Sequence, residues 1–456
     1  VGDYEHFIKA TETATADKEL AMRMDDVMQR YEQLHYSARA QYANLKLARE
    51  RAAYYKWKVL ESLDKYLIDF EAAVMRRGGK VLWAVDAEAA CQEIDTVLKR
   101  IQPQTILKSK SMLTEEIELS TFLRKHKYSV IETDVGDYIV DTSGEKPFHM
   151  VTPAVHKSKE EIAALLNDKI GVSMDADADH IVADIRTELR DKFYEADVLI
   201  TGANFVIADS GMVAITENEG NTRMGMAFAK THIVLAGIDK LIPSLTDLDI
   251  FFPLLATFGT GQKLTSYNSI TGPRQAIDMD GPSEFIVVLV DNGRSNVLAQ
   301  PDQRQALSCI KCGACSNVCP VFKTIGGHAY GVSNAGPVGA VVVPHMQGMD
   351  AFKHLSYASP LCGRCTDICP VNIDLHNHLT RNRRDSVNQG YTKSAEKLMW
   401  FSWKKMMLSR KNLNKGVSIK NFMLKSFFKT SWGERREFPR IADKSFNQLW
   451  RERLGV

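Results

Sequence analysis

Apolar and polar positions along the chain fall into four regimes. Between Asp17 and Met75 there is no glycine or proline, and Ala, Leu, Glu, Lys and Arg dominate. Such a stretch favours helix, and Gly78-Gly79 ends it. Residues 1–78 are therefore expected to form a helical arm packed on the neighbouring domain. From Lys80 onward, short apolar runs alternate with helical stretches. Residues 81–85, 129–132, 138–140, 198–201, 205–208, 212–216, 231–236 and 285–289 read as strands, and 87–101 as a helix. Asp209-Ser210-Gly211 is a hairpin-turn signal between two of these runs. Strands mixed with helices over roughly two hundred residues predict an α/β domain with a largely buried sheet, closing near Asp291-Asn292-Gly293. The expected segments are 1–78, 79–298, 299–388 and 389–456.

The third segment changes the picture, because seven of the eight cysteines lie between 309 and 369. The first run is Cys309-x2-Cys312-x2-Cys315-x3-Cys319-Pro320, and the second is Cys362-x2-Cys365-x3-Cys369-Pro370. Three cysteines two residues apart wrap one face of a cubane cluster, and the fourth, followed by proline, ligates the other cluster. That assigns Cys309, Cys312, Cys315 and Cys369 to one iron–sulfur cluster, and Cys319, Cys362 and Cys365 to a second. A complete second run would carry cysteine at 359, where this chain has Ser359. The second cluster is then either [3Fe–4S], or [4Fe–4S] with Ser359, water or a partner group on the fourth iron. Paired C-x2-C knuckles also suit zinc, but structural zinc closes with four ligands. It has no use for the third cysteine of the first run or for a proline after each last cysteine. Disulfides are unexpected in a large chain without a secretion signal. Cys91, alone in an Ala-rich helical stretch, reads as a small core residue.

Several stretches outside the cysteines resemble the lactate-utilisation iron–sulfur protein family over nearly the whole length. They are Lys108-Ser-Lys-Ser-Met112 with Thr114-Glu-Glu-Ile117, Glu132-Thr-Asp-Val-Gly-Asp-Tyr-Ile139, Pro153-Ala-Val-His-Lys157, Thr201-Gly-Ala-Asn-Phe205, Glu217-Asn-Glu-Gly-Asn221, and Gly281-Pro-Ser-Glu284 with 288–295. The resemblance implies an LUD-type α/β domain, related in fold to the ribose-5-phosphate isomerase and CoA-transferase group. It also implies two [4Fe–4S] clusters and two partner proteins in NAD-independent oxidation of L-lactate to pyruvate. The fold class expected is thus an α/β LUD-type domain with an N-terminal helical arm, a mainly α-helical ferredoxin-like module and a C-terminal helical tail. The function expected is that of an electron-transfer subunit. The alternative is an LUD domain that itself oxidises the 2-hydroxy acid, with the clusters as local acceptors.

Other candidates carry a functional and a structural reading side by side. Glu217 and Glu219, in a loop after a strand, suit acid–base work or a solvated turn. Lys108-Ser109-Lys110-Ser111 precedes a helix expected near Thr114 as N-cap, and suits either an anion or an ordinary capped loop. Arg223 and Arg274 could clamp a carboxylate, though nothing in the sequence selects them. Arg381, Arg383 and Arg384 would position a partner, raise a cluster potential or line a solvated face. No P-loop or G-x-G-x-x-G is present, and Gly259-Thr260-Gly261 is a bare G-x-G.

Composition adds mainly exclusions. Hydrophobic residues are 45% and charged residues 25% of 456, with a formal net charge of +2. The overall balance therefore makes no case for nucleic acid. No apolar stretch approaches a membrane span, and no secretion signal is seen, so a cytoplasmic location is expected, with peripheral contact at the inner membrane face as an option. The last segment is basic. It gathers Met399, Trp400, Phe401, Trp403, Met406, Met407 and Leu408 in one apolar cluster, and Phe422, Met423, Leu424, Phe427 and Phe428 in another. Such a segment suits a partner subunit, an anionic membrane or the chain's own body.

Overall fold

The central apolar runs, 198–201, 231–236 and 285–289, become strands because they are buried on both faces and rich in β-branched residues. In the computed structural model, which describes residues 2–278, 280–414, 416–427 and 440–455, ten strands are β1 Lys80–Ala84, β2 Ile106–Lys108, β3 Val130–Glu132, β4 Val198–Gly202, β5 Phe205–Ile207, β6 Met212–Glu217, β7 Thr231–Gly237, β8 Leu241–Ile242, β9 Tyr267–Thr271 and β10 Glu284–Val290. Six of them form an all-parallel sheet in the order β1-β10-β7-β4-β2-β3. Side chains alternate across it. Ile286, Val288 and Val290 of β10 join Ile94 and Leu98 of the helix Ala87–Ile101 on one face. Phe285, Val287 and Leu289 join Phe70 and Val74 on the other. A smaller sheet, β8-β5-β6-β9, hangs beside it, with β5 and β6 antiparallel through the expected turn at Asp209-Ser210-Gly211.

The sheet has a point of divergence. The chain passes from β2 to β3 on one side and from β4 to β7 on the other, while β2 and β4 are hydrogen-bonded neighbours. Beyond the carboxyl ends of such a pair a crevice opens, and in open α/β sheets this is where ligands bind.

Backbone contacts divide the chain into two compact units, 1–385 and 386–456. In the first, the arm is broken into the helices Gly2–Ala16, Lys18–Arg39, Leu45–Leu60 and Leu63–Arg76. Polar caps explain two of the breaks: Asp17 accepts from the Leu20 N–H at 2.9 Å and Asn44 from the Leu47 N–H at 3.0 Å. The arm shares a core with both other parts, since Phe7, Met24 and Met28 pack in one cluster with Phe205, Phe251, Phe322 and Tyr330. The cysteine-bearing part consists of short helices, among them Ala314–Asn317, Pro320–Ile325, Pro337–Met346, Met349–Tyr357 and Arg364–Ile368.

Two local expectations are corrected. Residues 138–140 are not a strand but the middle of the helix Val135–Ser143, which Asp134 caps by accepting from the Asp137 N–H at 3.1 Å. The cap before the next short helix is Ser111 and not Thr114. The helix runs Met112–Glu116, and Thr114 lies inside it. In the second unit the helices are Ser394–Met407, Arg410–Asn414, Val417–Phe427 and Phe446–Leu454. Trp400, Phe401 and Trp403 are about half exposed, and Phe428 lies outside the described residues. Among the described residues no helix is long and apolar enough to cross a membrane.

Candidate functional site: two cysteine hollows and the cavity beside them

The seven clustered cysteines separate into two hollows. Cys309, Cys312, Cys315 and Cys369 line one, together with Met150, Val338 and Ile373. Cys319, Cys362 and Cys365 line the other, together with Ser359, Tyr330 and His376. The sorting follows from a repeat in backbone form. Residues 309, 312, 315, 319 and 320 recur as 359, 362, 365, 369 and 370. Lys311 (φ 59°) and Leu361 (φ 56°) occupy the left-handed region, followed after one cysteine by Gly313 (φ 77°) and Gly363 (φ 83°). Each glycine starts a short helix, and the two helices, Ala314–Asn317 and Arg364–Ile368, pack on each other. The last cysteine of each run is extended, with φ −79°, ψ 119° at Cys319 and φ −62°, ψ 120° at Cys369. That extended turn carries each of these sulfurs towards the other run's hollow.

The donor set fits an iron–sulfur cluster. Burial and mutual repulsion push the Cys365 thiol up to about 12, and burial pushes Cys369 up to about 11. Cys312 and Cys315 are raised further for the same reasons. Buried thiolates crowded in this way call for a cationic centre among them.

The hollows differ in surroundings. Cys312, Cys365 and Cys369 are buried and Cys362 is exposed. Arg49 of the arm braces the second run by donating to the Cys369 carbonyl at 2.6 and 2.9 Å and to the Asp367 carbonyl at 3.0 Å. Glu32 of the arm pairs with Arg364 at 2.8 Å and with Lys323 at 3.5 Å. Of the three arginines noted after the second run, Arg383 donates to the carbonyls of Ser356 at 2.9 Å and Ser359 at 2.8 Å. Arg381 and Arg384 instead reach Asp302.

The first hollow abuts the crevice of the sheet. A cavity of about 450 Å³ opens beyond β2, β4 and β7, and Lys311 and Cys312 form part of its wall. Its other walls include residues 109–111 and 217–219, Gly202, Asn204, Lys240 and Leu255. Gly202 is required by packing, since a Cβ there would stand 2.6 Å from the Ser111 Oγ. Polar bonds tie the cysteine run to the sheet along this wall. Lys311 donates to Asn334 (3.1 Å), Asn334 to Glu116 (2.9 Å), and Arg294 to both Glu116 (2.9 and 3.1 Å) and Asp239 (2.6 Å). Arg294 packs across Gly237, where a Cβ would stand 2.5 Å from its Nε. Behind it, the buried Lys56 ammonium donates to the carbonyls of Asp239 and Leu241.

The two candidate carboxylates have different tasks. Glu217 accepts from the N–H groups of Thr222 and Arg223, both at 2.8 Å, and so caps the helix Asn221–Phe228. Among the described residues Glu219 accepts from the Val135 N–H alone, at 3.1 Å. Burial, aided by the charge of Asp134, raises its carboxyl to about 7, within reach of general acid–base work. In the lysine-serine stretch, Lys108 is fully buried and held by Glu132 (2.8 Å) and Glu115 (3.0 Å), so it is a structural ion pair. Lys110 reaches the cavity but donates to the Val151 carbonyl. Arg223 and Arg274 do not line the cavity: Arg223 stacks on Tyr267 and Arg274 donates to the Asp278 carbonyl. Cys91 is a core thiol, as expected.

Nothing in the sequence singles out Lys240. It lines the cavity and makes no hydrogen bond or ion pair among the described residues; burial pulls its ammonium down to about 8 against the opposing charge of Asp239. Arg294 is equally inconspicuous, although it falls within the matching stretch 288–295. Neither has a motif around it, and a buried charge looks like any other charge in a sequence.

A family model described as LUD domain matches residues 67–290, and one described as 4Fe-4S dicluster domain matches 305–373. Lactate utilization protein B of Bacillus thuringiensis (strain Al Hakam) is 41% identical over 364 residues, covering 78% of this chain and 77% of that protein. The same figures hold for the proteins of that name from Bacillus cereus (strain AH187) and Bacillus anthracis (strain A0248). A solved DUF162 family protein from Deinococcus radiodurans aligns with 50% of this chain and 98% of its own, at 12% identity and a TM-score of 0.29. With an LUD domain followed by a dicluster domain, and that identity over most of its length, the chain belongs to the lactate utilization protein B family of iron–sulfur proteins.

Proposed function

We propose that this chain holds two iron–sulfur clusters and relays electrons in an NAD-independent system that oxidises L-lactate to pyruvate. The observation that carries the proposal is the sorting of seven cysteines into two adjoining hollows. Cys309, Cys312, Cys315 and Cys369 hold one cluster, and Cys319, Cys362 and Cys365 hold the other. When bound, the clusters supply one-electron carriage. The chain's own residues ligate, bury and hydrogen-bond. The Lys311 and Ile373 N–H groups point at the sulfurs of Cys309 and Cys369, each at 3.3 Å. Bonds of that kind, with net charge and exposure, set potential. Other subunits of the system would dock where Cys362 reaches the surface and on the aromatic, basic tail, in the cytoplasm or at the inner membrane face.

The test is to mix the anaerobically purified chain with the other proteins of its lactate-utilisation system and add L-lactate. Bleaching of the visible cluster absorption supports the relay. Clusters that bleach with dithionite but not with lactate, when all partners are present, count against it.

The shared wall of cavity and first hollow favours a second reading, in which the acid is oxidised within this chain. About 450 Å³ lies within the ~300–1,000 Å³ range of small-molecule sites. Lys240 would anchor the carboxylate, Glu219 would accept one of the two protons released and solvent the other, and the two electrons would pass one to each cluster, entering beside Cys312. Glu219→Gln and Lys240→Met should then abolish lactate-driven bleaching with iron content unchanged. Full bleaching in both variants would leave the oxidation to another subunit.

A further inference from the structure

The two cysteine runs repeat each other closely enough to ask what stands in the place of the missing thiolate. Cys309 is matched by Ser359, fifty positions later by residue number. The match extends to the side-chain bond: the Lys311 N–H donates to the Cys309 Sγ at 3.3 Å, and the Leu361 N–H donates to the Ser359 Oγ at 3.1 Å. In both runs the donor residue is in the left-handed region and precedes the next cysteine. The serine oxygen therefore occupies the ligand position, held by the same backbone group. It also lines the hollow of Cys319, Cys362 and Cys365.

We propose that Ser359 is the fourth ligand of the second cluster, completing a [4Fe–4S] centre through its Oγ. On ligation the hydroxyl O–H bond breaks, an iron–oxygen bond forms, and the proton leaves to solvent by the side on which Cys362 is exposed. No electron moves, and a serine alkoxide carries the same single negative charge as the thiolate it replaces. Two features favour that charge. The Leu361 N–H becomes a charge-assisted donor to the alkoxide, and the Arg383 guanidinium, bonded to the Ser359 carbonyl at 2.8 Å, fixes the loop and brings a positive charge to the same residue. Ser359 is partly buried at the edge of its hollow, and its replacement is expected to leave the surrounding core intact.

This inference rests on the second hollow holding an iron–sulfur cluster at all. Its test is iron and zinc content with EPR, oxidised and dithionite-reduced, on the anaerobically purified full chain and on Ser359→Ala and Ser359→Cys. The expected result is about eight irons and no oxidised-state [3Fe–4S] signal in the parent chain, about seven irons with that signal in S359A, and a return to about eight without it in S359C. A parent chain that already shows about seven irons and the [3Fe–4S] signal would overturn the proposal. So would an S359A variant that keeps about eight irons and stays silent when oxidised, because water or another group would then hold the fourth iron. Zinc in place of iron would remove the cluster reading and this inference together, whereas the first two contrary results remove the inference alone.

Discussion

The two cysteine hollows share a backbone but not a setting. The first is pressed against the α/β body: Gly313 lies under His149, Met150 and Val151, and the Lys311–Asn334–Glu116–Arg294 bonds run from its rim into the sheet. The second is held from outside by Arg383 and by the Glu32–Arg364 pair to the arm, has an exposed cysteine at its edge, and carries serine where the first has cysteine. The comparison teaches that one repeated ligand frame has been given two jobs by what surrounds it. One hollow faces an internal cavity and the other faces the surface, which suits a relay between an inner site and a partner.

Cysteine replacement separates the hollows most sharply. Cys362→Ala, which leaves two cysteines and Ser359 in its hollow, should lose about four of roughly eight irons, whereas Cys312→Ala, which leaves three cysteines, should keep a three-iron centre and about seven irons. C312A should also lower the melting temperature far more, because its thiol sits in the shared core and that of Cys362 does not. Equal melting losses would break the contrast. Next in size is Arg294→Met, which leaves Glu116 and Asp239 buried without their partner. Denaturant unfolding should show a loss of about 3–5 kcal/mol, and a loss under 1 kcal/mol, to about the level of a surface pair, would remove this link from the account.

Arg49→Ala removes the brace on the Cys369 carbonyl and so acts on the first hollow, which Cys369 lines. The expected cost is about 1.5–3 kcal/mol, as for hydrogen bonds from a charged donor, with faster iron loss from the first hollow under a chelator. Smallest is the effect of the carboxyl in the cavity. Glu219 ionises near 4.5 in the unfolded chain and near 7 in the folded one. Between those values the folded state holds the extra proton, so this group's contribution to stability falls as pH rises from 4.5 to 7. Glu219→Gln should thus leave unfolding unchanged near pH 4 and stabilise near pH 8 by no more than about 1 kcal/mol, because solvent reaches the carboxylate and screens it. A pH-independent effect would contradict the burial assigned to it.

Much of this was legible in the sequence, for identifiable reasons. β4, β7 and β10 are continuous apolar runs, as strands buried on both faces must be, and the cysteine spacing states its own chemistry. β2 was not legible: it is three residues long and ends in Lys108, whose charge hides a buried ion pair. Tyr138-Ile139-Val140 reads as a strand on composition, and the Asp134 cap overrides that preference. Glu217 and Glu219 are alike in sequence. Only the helix start at Asn221 gives the first its capping role and leaves the second facing the cavity. Lys240 became visible only when folding set it in the cavity wall with no side-chain partner among the described residues.

The central claim, that these cysteines hold two iron–sulfur clusters, is tested most directly by metal and sulfide analysis of the full chain purified without oxygen. The account predicts about eight irons and a similar amount of acid-labile sulfide per chain, with negligible zinc. Zinc without iron or sulfide would contradict it.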